Sequence, residues 1–308
     1  MTGLDVVVTG VGLAVPGLAG PADLLGDHRP GGFDPATGLQ GRQMRHKDRA
    51  SRLALRAVEY ALADAGLLDQ QGGFAADGDR AAISVSSNLG SLESVCEFAD
   101  TIAERTVTGL SPLGLPKTSS NVIAGAIAIE YRLRGPNLTL CNGETSGLDA
   151  LFWAATLIAA GRAESALVVG VEPAGPIVER FVGAPVVDGA AAVLLEPAEA
   201  ARARAARPRA ALAGYQRGGN VESVVAHVTK AATAPLGLCL TDGPLVREIS
   251  DLVPVLDLSG LLGVCSGALG VLQCAAAVAR LRTEPNQSSL LTCGGPDAVA
   301  AMVVNPAA

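Results

Sequence analysis

The stretch Gly135-Pro-Asn-Leu-Thr-Leu-Cys-Asn-Gly-Glu-Thr-Ser-Gly-Leu-Asp-Ala-Leu151 decides how this chain folds. Its residues 138–141 form a short apolar run, which is typical of a β-strand. Residues 146–160 begin with small side chains and are almost free of charge, as expected of a helix that is covered on all sides. The stretch therefore predicts a strand that leads directly into a buried helix, with Glu144 in the turn between them.

Alternating strands and helices extend from this stretch toward both ends of the chain. Up to residue 200, apolar periodicity predicts strands at residues 5–9, 81–86, 138–141, 165–171 and 190–196 and helices at residues 48–65, 92–104, 120–131 and 146–160. From residue 208 it predicts strands at residues 210–216, 238–241, 253–256, 289–292 and 298–304 and helices at residues 221–232, 244–250 and 266–281. The second series reads β-α-β-α-β-α-β-β, and the first can be read in the same way with added helices. The alternation predicts an α/β protein and fits several α/β folds, a doubly wound sheet among them.

The composition bounds the size of the core and the class of partner. A chain of 308 residues can bury a sizeable core, either as one domain or as two fused halves. Because apolar residues make up 49% of the chain and aromatic residues only 3%, the core must be built largely from Ala, Val and Leu. The net charge of −7 argues against a nucleic-acid partner, since phosphate binding requires clustered Lys and Arg. We interpret the basic residues 202–209 as a solvated helix end between two parts of the chain.

Metal, membrane and cofactor sites are not indicated. The six cysteines form no Cys-x-x-Cys pair, and no His stands at zinc spacing. No apolar run reaches membrane-spanning length and no signal peptide is recognisable, so we expect a soluble cytoplasmic protein. The glycines of Thr9-Gly-Val-Gly-Leu-Ala-Val15 do not match the dinucleotide fingerprint, because Val15 occupies its third Gly position. We expect a turn after the first strand there, and no cofactor.

Several motifs, in the same order along the chain, resemble those of the β-ketoacyl synthase (ketosynthase) superfamily. Besides the opening stretch, they are Val6-Val-Val-Thr-Gly-Val-Gly-Leu-Ala-Val-Pro16, Met44-Arg-His-Lys-Asp-Arg-Ala-Ser-Arg-Leu-Ala-Leu55 with Ala61-Leu-Ala-Asp-Ala-Gly-Leu67, Lys117-Thr-Ser-Ser-Asn-Val-Ile-Ala-Gly125 and Val187-Asp-Gly-Ala-Ala-Ala-Val-Leu-Leu-Glu196. The resemblance implies a thiolase-like fold, in which two duplicated βαβαβαββ halves form a layered α-β-α-β-α sandwich. The halves would be residues 1–200 and 208–308, in one compact unit. The helices at 146–160 and 266–281 would form the middle layer.

Four departures from the family's motifs remove its chemistry. The nucleophilic Cys of the family falls on Glu144, and the His of its His-Gly-Thr-Gly-Thr motif falls on Asp242 of Leu238-Cys-Leu-Thr-Asp-Gly243. The family's Lys-Ser-x-x-Gly-His becomes Ser259-Gly-Leu-Leu-Gly-Val264, so its Lys falls on Ser259 and its His on Val264. Its Gly-Phe-Gly-Gly is reduced to Thr292-Cys-Gly-Gly295. A helix N-terminus favours the thiolate of the family's Cys, and two His stabilise the enolate formed on decarboxylation. Without these groups no catalytic residue is intact and conventional condensation is not expected.

The same departures make the chain most similar to the chain-length factor, the non-catalytic partner of a ketosynthase in bacterial type II polyketide synthases. Its elbow resembles Gln-x-x-Gly-Leu-Asp-Ala-Leu and differs from Glu144-Thr-Ser-Gly-Leu-Asp-Ala-Leu151 chiefly by Gln for Glu. The chain is shorter than a typical ketosynthase, mainly around residues 173–186 and before Leu238. The resemblance therefore implies a subunit without activity by itself, belonging to a synthase of the reduced or polyene type.

The resemblance also implies partners and a tunnel for the acyl chain. The helical segment 117–131 and the elbow strand would pair with a catalytic ketosynthase across a pseudo-two-fold axis, giving a heterodimer with a continuous sheet. An acyl carrier protein would act through the complex. The residues expected to line the tunnel near the interface are Lys117, Thr118, Ser119, Ser120, Thr145, Ser146, Leu148 and Phe152.

Alternatives remain open at the level of the sequence. Glu144 could be a general base or an orienting carboxylate, an anion that caps the helix, or a partner in an ion pair with the second subunit. The chain could be a malonyl-carrier-protein decarboxylase with a replaced nucleophile, although such domains keep the His pair, or an acyl-binding assembly protein outside polyketide synthesis. We expect Cys141 and Cys265 to be buried structural thiols. His28, His46 and His227 are expected at the surface.

Overall fold

Ten strands form one mixed sheet in the part of the protein that the structure, a computed structural model, describes, which is residues 5–26, 32–242, 253–295 and 297–307. The strands are β1 Val6–Ala14, β2 Ala81–Ser86, β3 Asn137–Leu140, β4 Ser165–Glu172, β5 Gly189–Pro197, β6 Ala210–Gly218, β7 Leu236–Thr241, β8 Val255–Asp257, β9 Ser288–Gly294 and β10 Val299–Asn305. All ten predicted strands are present, most of them longer than predicted. The longest extension is β1, which was predicted to end at residue 9.

The strands lie in the order β3-β2-β4-β5-β1-β6-β10-β9-β7-β8. From one edge, β3, β2 and β4 are parallel and β5 and β1 follow antiparallel; from the other edge, β8, β7 and β9 are parallel and β10 and β6 follow antiparallel. The two series therefore have the same strand order and orientation. They meet in the middle through two residue pairs, Val7 with Ala211 and Val8 with Ala210.

The α-helices cover this sheet. They are α1 Pro35–Gly38, α2 Arg49–Asp64, α3 Leu92–Arg105, α4 Val122–Tyr131, α5 Ser146–Ala159, α6 Pro176–Val182, α7 Ala198–Ala203, α8 Val221–Val228, α9 Leu258–Leu262 and α10 Leu269–Arg280. The sequence predicted α2, α3, α4, α5, α8 and α10, and it missed the four short helices. The predicted helix at residues 244–250 lies outside the described residues.

Two of the helices, α5 and α10, share the main core of the protein. Strands β4, β5, β9 and β10 direct alternate side chains into this core and the remaining ones toward outer clusters, which α2 and α4 cover on one side and α8 on the other. The helices approach closely at Gly147 and Gly270, because a Cβ on Gly147 would lie 2.6 Å from Gly270 N. Every residue of α10 from Leu269 to Ala279 is buried. On α5, by contrast, Trp153 is exposed, so this helix is not covered on all sides as predicted.

The predicted turn after the first strand is wrong. Strand β1 continues through Gly10 and Gly12 as far as Ala14. A Cβ on either glycine would overlap backbone carbonyl oxygens of α2 (those of Ala57 and Ala61), so the strand needs glycine to let this helix approach. The glycines therefore serve packing.

The basic stretch at residues 202–209 differs in part from the prediction: Arg202 at the end of α7 and Arg207 beyond it are exposed, whereas Arg204 and Arg209 are bound. Arg204 binds the buried carboxylate of Glu196 through Nε at 2.9 Å and Nη2 at 2.5 Å. Arg209 donates to Asp64 Oδ1 at 2.7 Å and to Thr9 O at 3.1 Å. Because these arginines connect α2, β1 and β5, they stabilise the junction between the two strand series and are not simply solvated.

Two further properties concern membranes and metals. No helix in the described ranges combines the length and the apolar composition needed to cross a bilayer. Across the same ranges, no three His, Cys, Asp or Glu side chains are grouped so that they could hold a metal ion.

Candidate functional site

The turn between β3 and α5, which we call the elbow turn (residues 141–145), presents Glu144 at its tip. Gly143 has φ of +86°, a conformation that favours glycine and lets the chain reverse before the helix. The Ser146 hydroxyl closes the turn, since it accepts from Asn142 N at 2.9 Å and lies 2.6 Å from Gly143 O. The Glu144 carboxylate lies against Gly295, where a Cβ would overlap Oε2. Within the described residues Glu144 accepts no hydrogen bond, so it does not cap α5.

Asp242, at the end of β7, is a second carboxylate close to Glu144. Its side chain is only 6% exposed, and Oδ2 accepts from Gly294 N at 3.3 Å. Its Oδ1 has no hydrogen-bond partner among the described residues. The pKa of Asp242 is raised to about 6: burial is the largest cause, the charges of Glu144 and Asp257 also raise it, and Gly294 N–H lowers it. Burial also raises the pKa of Glu144. Glu144 and Asp242 are thus two acidic groups whose charges repel each other.

The other two positions of the family's motifs differ from each other in location. Val264 lines the same cavity as Glu144; its N–H donates to Pro185 O at 2.9 Å and its carbonyl accepts from Val187 N at 3.2 Å. Ser259 lies in α9 and does not line that cavity. Neither side chain offers a proton donor comparable to an imidazole or an ammonium group.

The cavity in front of Glu144 has a volume of about 520 Å³. The described residues that line it are Asn88, Leu89, Cys141, Asn142, Gly143, Glu144, Thr145, Phe181, Val182, Arg217, Val264, Ser266, Gly295, Asp297 and Ala298. None of them is His or Lys. Phe181, at 71% exposed, is one of the lining residues and belongs to α6. The cavity therefore has room for a small ligand, and the one cation among its described lining residues is Arg217, which lies 3.9 Å from the Asp149 carboxylate.

The residues expected to line an acyl tunnel are only partly brought together. Thr145 lines the cavity, Ser146 and Leu148 are buried in α5 behind it, and Phe152 stacks on Tyr215 with ring centroids 4.2 Å apart. The group Lys117, Thr118, Ser119 and Ser120 lies elsewhere, at the end of the 3-10 helix Pro112–Thr118 and just after it, and does not line the cavity. These four lie near the sheet edge, before α4.

An exposed apolar edge adjoins that group, and we define it by β3, the outer side of α4 and Trp153. Strand β3 is at the edge of the sheet, so its outer backbone groups have no neighbouring strand among the described residues. Ile129 of α4 is 79% exposed and Trp153 of α5 is 49% exposed. Helix α4 carries apolar side chains on every side apart from Glu130, which is typical of a helix with a further packing partner. The edge is therefore a candidate interface.

Sequence reasoning missed a buried network around Asp149, in the first turn of α5. Its carboxylate accepts from Thr145 Oγ1 at 3.0 Å, from Asn142 Nδ2 and from the Tyr215 hydroxyl. Arg217 Nε lies 3.9 Å from it. Burial and this carboxylate raise the pKa of Tyr215. The only signal in the sequence was a single charge in an otherwise apolar helix.

Sequence reasoning also missed Glu172, at the end of β4. Its carboxylate is fully buried and accepts hydrogen bonds from Ser87, Asn88, Leu89 and Gly267. Burial raises its pKa to about 7, although these donors lower it. A carboxylate in the last position of a buried strand, just before Pro173, was the available signal.

The cysteines and histidines are placed as follows. Cys141 is exposed at the sheet edge and lines the cavity, so the prediction that it is buried is wrong. Burial nevertheless raises its pKa, which disfavours the thiolate. Cys265 is buried as predicted, and burial raises its pKa to about 12. His46 and His227 are exposed as predicted, and His28 lies outside the described residues.

Comparison with known proteins places this architecture in a family. The model of the β-ketoacyl synthase N-terminal domain matches residues 25–219, which is more than half of the chain. The 3-oxoacyl-[acyl-carrier-protein] synthase 2 of Rhizobium meliloti (strain 1021) is 27% identical over 233 residues, covering 66% of this chain and 54% of that protein. The chain thus spans about half the length of the curated relatives it matches.

Solved structures share the fold of the chain. A chain of the ishigamide ketosynthase/chain length factor superposes with a TM-score of 0.81 at 23% identity, covering 97% of this chain and 98% of that one. A chain of a type II polyketide synthase acyl-carrier protein in complex with its ketosynthase bound to the hexaketide gives a TM-score of 0.81 at 19% identity, covering 97% and 98%. Together with the family match, the mixed α/β ketosynthase-like fold around the Glu144 cavity leads to one conclusion: the chain belongs to the β-ketoacyl synthase family.

Proposed function

We propose that this protein is a non-catalytic chain-length factor, which forms a heterodimer with an active ketosynthase and helps to set acyl chain length in type II polyketide synthesis. The observation that carries the proposal is the side chain at the tip of the elbow turn. Glu144 stands there, at the position where the family has a nucleophilic Cys. A carboxylate at this place cannot carry the acyl group as a thioester.

The surroundings of Glu144 support the absence of condensation chemistry. The described cavity residues include no His or Lys, and motif spacing aligns Asp242 with the imidazole that would have to donate to a developing enolate. Glu144 and Asp297 line the cavity, and Arg217, the one cation among its described lining residues, lies 3.9 Å from the Asp149 carboxylate. This charge arrangement opposes the binding of an anionic malonyl group.

Two structural neighbours whose complexes are described support a ketosynthase as the partner. One structural neighbour is described as a ketosynthase/chain length factor, and another as a ketosynthase in complex with an acyl-carrier protein. We propose that this chain likewise acts with a ketosynthase and, through the complex, with an acyl carrier protein. The shortened segments remain our reason to propose a reduced or polyene product.

The exposed apolar edge supports the position of the interface. Pairing β3 with the same strand of a ketosynthase would satisfy its free backbone groups, and it would bury Ile129 and Trp153. Lys117, Thr118, Ser119 and Ser120 would then lie at the interface, while Thr145, Ser146, Leu148 and Phe152 would approach it from α5. We propose that these residues bound the acyl tunnel inside the complex.

We further propose that residues 1–200 and 208–308 are duplicated halves of one thiolase-like sandwich. The equal order and orientation of the two strand series supports this proposal. The shared core around α5 and α10, with outer clusters on both sides, supports the layering.

Two other functions compete with the proposal. A malonyl-carrier-protein decarboxylase needs a group that stabilises the enolate, and no described cavity residue is a His or Lys. An acyl-binding assembly protein outside polyketide synthesis would use the same fold without a ketosynthase partner. Only the proposed function requires a specific complex with an intact ketosynthase.

The test is co-expression of this chain with intact type II ketosynthases, followed by co-purification and mass analysis of the product. We expect a 1:1 complex that Ile129→Arg on α4 abolishes, because a charge on the apolar edge would be buried unpaired. Leu261→Arg on α9 is the matched control, since Leu261 is also exposed but lies outside the edge. A complex that survives Ile129→Arg would refute the interface. A stable homodimer that releases carbon dioxide from malonyl carrier protein would refute the function.

A further inference from the structure

Glu172 is a buried carboxylate to which the proposed function assigns no role. Its side chain is 0% exposed, and hydrogen-bond donors occupy both of its oxygens. Oε1 accepts from Asn88 N at 2.7 Å and from Gly267 N at 2.9 Å. Oε2 accepts from Leu89 N at 3.0 Å and from Ser87 Oγ at 3.1 Å. Among the described residues no cation contacts Glu172, so backbone and hydroxyl dipoles alone stabilise its charge.

These donors join two segments that are distant in sequence. Ser87, Asn88 and Leu89 form the loop after β2, and Gly267 belongs to the 3-10 helix Ser266–Ala268 that leads into α10. The segments meet with no space for a further side chain. A Cβ on Gly267 would lie 2.9 Å from Glu172 Oε1 and 3.0 Å from Ser87 Cα. The carboxylate is therefore the common partner of both segments.

Asn88 extends this arrangement to the elbow turn. Its backbone N–H binds Glu172, while its side-chain Nδ2 donates to Gly143 O at 2.9 Å and to Ser266 Oγ at 2.8 Å. Its Oδ1 accepts from Gly143 N at 3.3 Å and from Ser146 Oγ at 3.2 Å. One residue thus connects the buried carboxylate to the turn that carries Glu144.

We propose that Glu172 is a positioning residue for the elbow turn: through Asn88 it fixes Gly143, and it thereby keeps the Glu144 carboxylate inside the cavity against Gly295. The role concerns the architecture of the site and does not depend on a partner subunit. The role explains why a charged carboxylate is buried here, because a Gln of the same size could accept from the donors around only one of the two oxygen positions. The amide nitrogen on the other side would face N–H groups or a hydroxyl that it cannot accept from.

The test uses the isolated full-length chain at pH 8, where the Glu172 carboxylate, with its pKa of about 7, is ionised. The variants are Glu172→Gln, Asn88→Ala and the double variant. Glu196→Gln is the matched control, because Glu196 is also a buried carboxylate with several donors but binds Arg204 and Thr9 away from the cavity. Two quantities are measured: amide hydrogen exchange in residues 142–146, relative to global unfolding, and the pKa of Glu144 from ¹³C NMR, assigned by its loss in Glu144→Gln.

We expect each variant to raise amide exchange in the elbow turn about tenfold or more, because Glu172→Gln leaves a buried donor without an acceptor and Asn88→Ala removes both side-chain hydrogen bonds to Gly143. Both should also lower the raised pKa of Glu144 toward its ordinary value of about 4.3. The double variant should be no worse than the stronger single variant, since both act through one chain of contacts. Glu196→Gln should leave the pKa of Glu144 unchanged. It should also leave amide exchange in the elbow turn unchanged once the variant's own global unfolding is taken into account.

Three results would overturn the assignment. The first is a Glu172→Gln variant in which the elbow turn exchanges its amide hydrogens at the wild-type rate and the pKa of Glu144 is unchanged. Another is an equal response of both quantities in Glu196→Gln, which would reduce Glu172 to a general stabilising group. The third is additivity of the two single variants, which would mean that Glu172 and Asn88 act on the turn independently.

Discussion

Replacing Asp242 by Asn should stabilise the protein at neutral pH and have little effect in acid. Burial raises the pKa of Asp242 from 3.8 to about 6. The folded state therefore binds this proton more tightly than the unfolded state, so the stability is fully present below pH 3.8 and falls as the pH rises to about 6. A shift of about two pKa units corresponds to about 3 kcal/mol at pH 7. Asn keeps an oxygen that can accept from Gly294 N–H and carries no charge.

The assay is urea unfolding of wild type and Asp242→Asn at several pH values between 4 and 7. The difference in the free energy of unfolding should grow from near zero at pH 4 to about 3 kcal/mol at pH 7 in favour of the variant. Glu144→Gln should reproduce part of this gain, because the charge of Glu144 contributes to the shift at Asp242. Asp100→Asn, a change of an exposed carboxylate on α3, is the control and should show no such trend. A variant that is less stable at pH 7, or a difference independent of pH, would refute the reasoning.

Three further perturbations test other parts of the account. Arg204→Ala should lower the free energy of unfolding by about 3–5 kcal/mol, because it leaves the Glu196 carboxylate buried and without its cation. The double variant Arg204→Ala/Glu196→Gln should recover part of this loss. Urea unfolding measures both. Gly12→Ala should cost several kcal/mol, since the new methyl group overlaps the backbone of α2, whereas Gly20→Ala, with open space around it, should be neutral; thermal unfolding distinguishes them. Glu144→Cys should not restore acyl transfer from an acyl carrier protein, because no His accompanies the new thiol among the described cavity residues; measurable condensation by this variant would contradict the assignment of the site.

The strand and helix pattern could be predicted because it depends on local periodicity. Strand β2, for example, was predicted with its observed bounds Ala81–Ser86. The bounds of β1 were wrong because the two glycines of its second half are typical of a turn. Only the approach of α2 explains why glycines continue the strand there.

Glu144 and Asp242 could be singled out from motif spacing alone, and their assignment to the family's catalytic positions stays a prediction. The buried networks around Glu172 and Asp149 could not be predicted, because the hydrogen-bond partners of these two carboxylates lie far away in the sequence. Asn88 is 84 residues from Glu172, and Tyr215 is 66 residues from Asp149. Such contacts follow from the strand order, which periodicity does not supply. The exposure of Cys141 has the same origin, since it depends on β3 lying at the edge of the sheet.

The most direct test of the central claim is the intact mass of each subunit during turnover, in a complex of this chain with its ketosynthase and a loaded acyl carrier protein. The account predicts a covalent acyl adduct on the ketosynthase and an unchanged mass for this chain, because we propose that Glu144 takes the place of the nucleophile. An acyl adduct on this chain, formed and consumed at the rate of product formation, would contradict it.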